Sequence, residues 1–180
     1  VSKATSVKWV AKLGSQTYGN PTVAGGRILV GTNNGSPRDD KFVGDYSMVM
    51  SFEEKSGKFQ WQLATPKLGA GKVSDWEFLG ICSSPAIDGK RAYVVTNRGE
   101  VVALDVKGQA NGNEGPFVDE AAYMQGAKKP PVKVARKLDG DIVWRYAMRE
   151  ELGVFPHNIT SSTALLHDGR VYASTSNGVD

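Results

Sequence analysis

One phrase is written three times along this chain, at Gly19 to Gly35, Ser83 to Gly99 and Ser162 to Gly178. Aligned on Arg27, Arg91 and Arg170, the copies stack Pro21 over Pro85 and Ala164, Gly26 over Lys90 and Gly169, Thr32 over Thr96 and Thr175, and Gly35 over Gly99 and Gly178. Such a repeat constrains architecture more than any single motif, because each copy is one supersecondary unit that buries its apolar face only against its neighbours.

Each copy contains a turn signal. Gly25-Gly26, Asp88-Gly89 and Asp168-Gly169 are dipeptides that adopt the positive backbone angles of a two-residue hairpin, which predicts a tight antiparallel pair in every copy. The pairs run from Asn20 to Val23 into Arg27 to Thr32 in the first copy, with equivalents in the others. The strand after each turn is apolar on both faces: Ile28 and Val30 against Leu29, Ala92 and Val94 against Tyr93 and Val95, Val171 and Ala173 against Tyr172. A strand of that kind is covered on two sides, so each small sheet is expected to lie between neighbouring sheets.

Third strands follow at Ser47 to Phe52 and Glu100 to Asp105, and fourth strands at Phe59 to Ala64 and Ile142 to Ala147. Trp61 and Trp144 each lie four positions after a turn glycine, Gly57 or Gly140. The run Val7 to Leu13, with Trp9, reads as the last strand of a preceding unit, being short, apolar and bounded by Gly14-Ser15. Trp9, Trp61 and Trp144 are then equivalent. Four antiparallel strands per unit, with both sheet faces buried, predict an all-β chain made of β-propeller blades. Residues 1–14 fall in a preceding blade, 15–65 in a full blade, 66–148 in a second with an insertion at 106–138, and 149–180 in the first half of another: about two and a half blades in a single partial propeller domain.

The segment Glu54-Lys55-Ser56-Gly57-Lys58-Phe59-Gln60-Trp61, together with Ser84 to Asp105 (SPAIDGKRAYVVTNRGEVVALD), resembles the PQQ-like, quinoprotein-type β-propeller repeat. The resemblance implies the propeller fold over nearly the whole chain outside the insertions, and an exported, periplasmic or secreted bacterial protein. Because this many blades leave apolar faces and strand edges open, the chain is expected to be a piece of a longer protein or to close against other chains.

Composition enters where it excludes. With 40% apolar and 23% charged residues the chain is ordinary for a globular domain. The net charge of +3 is scattered, apart from Lys128, Lys129, Lys133, Arg136 and Lys137, which read as a solvated loop rather than a nucleic-acid site. Cys82 is the single cysteine, so no internal disulfide forms. No apolar run reaches the roughly 20 residues of a membrane span, and Val1 to Lys8 lacks signal-peptide anatomy.

In meandering blades, the loops leading into first strands and those joining second to third strands share one face, and the hairpins occupy the other. The candidate face gathers Gln16, Thr17, Tyr18, Asn33, Asn34, Arg38, Asp75, Trp76, Cys82, Arg98, His157, Asn158 and Asn177. Of these, Tyr18, Asn34, Asp75, Trp76, Cys82, Arg98, His157 and Asn158 are the ligand-binding candidates, since binding residues favour convergent loops on a rigid scaffold. His157 has the chemistry of a general base or metal ligand; Trp76 can stack on a flat ligand. Asp39 and Asp40, with Asp45 nearby, offer hard oxygen donors for a metal such as Ca²⁺, and so does the loop from Asp105 to Glu114. The insertion at 106–138 reads as a decoration with one helical turn around Glu120 to Met124.

Three functions compete at this point. One is a binding or scaffold module. Another, implied by the resemblance, is a quinone-dependent dehydrogenase with PQQ and Ca²⁺ over the channel; there the family places adjacent cysteines near its cofactor, where this chain has Cys82 followed by Ser83. The last is a carbohydrate-active propeller using Asp75, Trp76 and His157.

Overall fold

A computed structural model describes residues 6–125, 133–134 and 137–175. Two four-stranded antiparallel meanders form its body, and a further hairpin stands beside the second. The first blade runs β1 (Thr22–Ala24), β2 (Arg27–Asn33), β3 (Tyr46–Glu53) and β4 (Phe59–Pro66). The second runs β5 (Ala86–Asp88), β6 (Arg91–Val95), β7 (Glu100–Asp105) and β8 (Ile142–Ala147). The hairpin is β9 (Leu165–His167) with β10 (Arg170–Tyr172). Two short α-helices, α1 (Glu120–Gln125) and α2 (Met148–Leu152), and two single 3-10 turns, Gly71–Val73 and Gly108–Asn111, complete the elements.

The hairpins close where the turn residues allow. In the first and third, both loop residues have positive φ, Gly25 at 57° and Gly26 at 77°, Asp168 at 47° and Gly169 at 69°, the mirror-image turn whose twist suits the flanking strands. The second loop is Gly89-Lys90 rather than Asp88-Gly89: Asp88 pairs with Arg91 inside the ladder. There only Gly89 has positive φ, 55°, which is the variant with glycine at the first central position.

Each blade carries the same irregularity. The β3–β4 register shifts between Ser51 and Phe52, and the β7–β8 register between Ala103 and Leu104, so Gln60 and Val143 are each the extra residue of a bulge. A bulge bends and twists its strand, and here it sits immediately before Trp61 and Trp144. The indole of Trp61 leaves its own blade: Nε1 donates to the Val106 carbonyl at 2.9 Å, and the ring lies where a Cβ on Gly108 would stand. Trp9 repeats this one blade earlier, with Nε1 on the Glu54 carbonyl at 2.9 Å and the ring against Gly57. The equivalence of these tryptophans is therefore physical. Val7 to Leu13 itself joins no ladder, so the expected strand is replaced by a segment held through that indole.

Neighbouring blades are also stitched along their first strands. The Asn20 amide donates to Ser84 Oγ at 2.8 Å, and the Ser84 amide to Thr163 Oγ1 at 3.3 Å, the same repeat position each time. Apolar burial follows the stitching. Leu29, Met48, Met50, Trp61, Leu63, Ala92, Val102 and Leu104 join one core through both blades. Val95, Val101, Met148 and Ala164 form a second core between the second blade and the last hairpin. Strands β2, β3, β6 and β7 are covered on both faces as expected, whereas Leu165 and Tyr172 in the last hairpin stay 63% and 46% exposed.

The insertion at 106–138 is no mere decoration, and Ser36 to Tyr46, inserted between the second and third strands of the first blade, also reaches the core. The helical turn forms as α1, but its Met124 is fully buried in the first core, and Phe42 from the other insertion is too. Lys41 Nζ donates to both carboxylate oxygens of Asp139 at 2.8 Å, beneath the surface. The end of the second insertion adds to the outer edge of β4: Gln62 N donates to Leu138 O, and Gly140 N to Gln62 O. Lys128, Lys129, Arg136 and Asn177 lie outside the described residues.

Candidate functional site

The loops at one end of the blades are pinned by a residue that the repeat supplies. Asn33, the last residue of β2, and Asn97, two residues past β6, are equivalent and almost fully buried, with their amides turned into the loops that join the blades. Asn33 Oδ1 accepts from the Ser15 amide at 2.8 Å and Nδ2 donates to the Phe78 carbonyl. Asn97 Nδ2 donates to Asp75 Oδ2 at 2.7 Å and to the Pro66 carbonyl at 3.3 Å. Buried amides that bond to crossing chain in this way tie the loops to the ends of the blades.

Asp75 is 2% exposed and organises the longest of these loops. Its Oδ2 also accepts from the Leu68 amide at 2.8 Å, and Lys67 forms an ion pair with Oδ1. Lys67 Nζ reaches on to the Trp76 carbonyl at 2.8 Å. The loop then joins that of the next blade through two backbone bonds, Asn158 N to Val73 O at 2.6 Å and Trp76 N to Asn158 O at 2.8 Å. Asn158 accepts this role at φ 64°, a left-handed conformation to which asparagine is suited.

These bonds bring Asp75, Trp76 and Asn158 together, with Arg98 next in the chain to Asn97 and His157 next to Asn158. The others occupy separate places. Asn34 is buried and its amide donates to the carbonyls of Phe42 at 2.7 Å and Gly44 at 3.3 Å, closing the loop between β2 and β3. Tyr18 is exposed, its hydroxyl on Gln16 Oε1 at 3.2 Å. Cys82 is half-buried, and burial foremost, then the Asp75 charge, outweighs the nearby Lys67 to push its thiol up to about 11. His157 is exposed. Asp39 is engaged by the Lys41 amide at 3.0 Å and by Lys41 Nζ at 3.4 Å, while Asp40 is exposed. Among the described residues, no group of three or more His, Cys, Asp or Glu side chains converges as a metal-ligand set. Ser83 Oγ, where a second cysteine would stand, donates to the Val95 carbonyl at 2.6 Å. Cys82 therefore has no adjacent cysteine with which to form a vicinal disulfide.

Phe78 is the residue that the sequence does not single out. It has φ 61°, costly for a bulky side chain. Both its backbone groups are claimed, N by Asp45 Oδ2 at 2.9 Å and the carbonyl by Asn33. The ring is left 56% exposed, on the same loop as Trp76 at 39%. Lys72 Nζ stands 5.3 Å from the Trp76 ring, and the Arg149 guanidinium 5.5 Å from the ring of Phe155, itself 49% exposed.

Towards the outer strands the same face opens into a cleft of about 890 Å³. Asp45 and the segment Pro66 to Gly69 form one wall, Arg98, Arg145 and Arg149 another, and α1 with Phe117 and Tyr123 a third. Beneath it lies Glu100, 2% exposed. One carboxylate oxygen accepts from Arg145 Nη1 at 2.7 Å and Arg98 Nε at 3.4 Å; the other accepts from the Tyr123 hydroxyl at 2.8 Å and Thr96 Oγ1 at 3.2 Å. Burial, then the Glu100 charge, raises the Tyr123 hydroxyl well above its ordinary range, so it remains a donor. Glu100 pairs with Thr96 as Met48 pairs with Thr32; the second blade thus carries a carboxylate where the first has an apolar core residue.

Residues 3–115 match the family model described as outer membrane protein assembly factor BamB. No curated protein matches the chain. None of the described helices is long and apolar enough to cross a membrane.

Proposed function

The chain belongs to the PQQ-like repeat family, and from that premise we propose that it is a binding and scaffold module of a larger exported bacterial protein, periplasmic or secreted, which docks a protein partner on the loop face bearing Trp76, Phe78 and Phe155. Further repeats, in the same polypeptide or another chain, close the ring around it. The observation that carries this reading is Phe78. A left-handed backbone at a bulky residue costs on the order of 1–3 kcal/mol, and here that strain, locked by Asp45 and Asn33, holds an aromatic ring out in water. Exposed aromatics on rigid loops are the material of interface anchors. The family description, an outer membrane assembly factor, accords with a protein that works by docking.

A photo-crosslinking side chain at position 76 of the full-length protein in its native cell tests this. One discrete protein adduct is expected there, and none from position 167 on the hairpin face. Equal labelling from both positions, or none from either, would overturn the docking role. Reconstitution with PQQ and Ca²⁺ is expected to give no stoichiometric quinone absorbance.

A further inference from the structure

Glu100 holds two guanidiniums at one end of the cleft and uses only part of their donor capacity. Arg98 gives Nε and Arg145 gives Nη1; an arginine has five N–H donors in a rigid fork. The terminal nitrogens of Arg98 have no partner among the described residues, and Arg145 Nη2 has only a 3.8 Å approach from the exposed Glu150. Arg149 lines the same cleft with a buried Nε that has no partner. The buried carboxylate therefore acts as a mount: it orients cations toward the opening without consuming them, as supporting hydrogen bonds do around other recognition groups.

The cleft presents acceptors as well. Asp45 Oδ1 and Gln125 Oε1 are buried and unpartnered among the described residues, and both side chains line it. Of the two other acids in the lining, Asp119 caps the Ala122 amide at 3.2 Å, and Glu150 lies exposed at the rim, 3.8 Å from Arg145 Nη2. A simple inorganic anion would satisfy the guanidiniums and leave these acceptors facing its own charge. A polypeptide segment satisfies both, because its backbone amides donate while its acidic side chains accept. Arg149 also stacks on Phe155, so the cleft is continuous with the exposed aromatic face.

We infer that the cleft between the first blade and α1 binds an acidic peptide segment, its carboxylates on Arg98, Arg145 and Arg149 and its backbone amides on Asp45 and Gln125. This rests on the docking role above and names the chemistry of the partner. The test is fluorescence anisotropy of the full-length protein with a short fluorescein-labelled peptide of alternating glutamate and leucine, against its lysine-for-glutamate counterpart. Saturable binding of the acidic peptide is expected, with affinity about tenfold lower in Arg149→Gln, weakened by raised salt and absent for the lysine peptide. Arg149 lies outside the Glu100 network, so its variant keeps the fold; Lys90→Gln on the hairpin face is the control and leaves the affinity unchanged. No saturable binding, equal binding of the lysine peptide, no change in Arg149→Gln, or displacement by inorganic phosphate as readily as by unlabelled peptide would each overturn the inference. A position-76 adduct that persists when peptide binding fails would remove the cleft alone and leave the docking face standing.

Discussion

Asp141 shows how a single group sets a pH dependence in this fold. It is fully buried, its Oδ1 is unpartnered and its Oδ2 accepts from the Glu114 amide at 3.0 Å. Burial foremost, with Glu120, Asp105 and Glu114 adding charge nearby, pushes its carboxyl from 3.8 up to about 6. The folded chain thus binds this proton more tightly than the unfolded chain, so the group's contribution is fully present below pH 3.8 and is lost as pH rises through 6. Asp141→Asn is expected to remove that loss: its urea midpoint should exceed that of the native chain at neutral pH, with the gap closing toward pH 4. A gap independent of pH would show that Asp141 is already neutral or already paired. Glu100 teaches a different lesson at this scale. Its departure from Met48 was readable, since a charge at an apolar repeat position demands partners, but Ser36 to Tyr46 separates the second and third strands of the first blade and hides the register. Its partner Tyr123 lies on an insertion that no repeat predicts. Phe78 was beyond sequence reasoning altogether, because its backbone conformation is imposed by Asp45 and Asn33 from elsewhere in the chain.

Among elements, the outer strand and the following turn behave as one part. Gly108 has φ 57°, and a Cβ there would stand 2.7 Å from the Trp61 ring and from the Asp139 carbonyl. Gly108→Ala combines left-handed strain with that clash and is expected to cost about 2–4 kcal/mol, read as a lowered denaturant midpoint. Gly112, with φ 114° and nothing within 4 Å, supplies the contrast: alanine there meets strain without a clash and should cost less. Lys41→Met should lower stability by about 1–3 kcal/mol, since it strips one ion-pair partner from the buried Asp139. A loss below 1 kcal/mol would mean that other contacts of Asp139 carry the charge. Third strands, the tryptophan register and the hairpins were legible from alternation and turn dipeptides, except that the second turn falls one residue later, at Gly89-Lys90. The insertions were not, because their burial depends on Phe42, Met124 and Lys41 finding pockets made by a different unit.

For the whole molecule, the repeat predicts where protection from exchange should concentrate. Strands β3 and β7 lie at the centre of their sheets and are buried along almost their entire length. Their amides are expected to exchange slowest by hydrogen–deuterium exchange, with the exposed loop around Trp76 and Phe78 faster; a loop as slow as β3 would point to a partner already bound. The architecture was open to a reader of the sequence because blades are local meanders repeated. The cleft was not, for it is assembled from β4, β8, α1 and a loop of the first blade.

The tie from each tryptophan to the next blade also has a direction in time. Trp9 and Trp61 each donate to a carbonyl 45 residues further along the chain. During synthesis, an indole made in one blade has no acceptor until most of the following blade has left the ribosome. The ties of Trp9 and Trp61 are therefore completed only after the third strand of the following blade, β3 or β7, has been made.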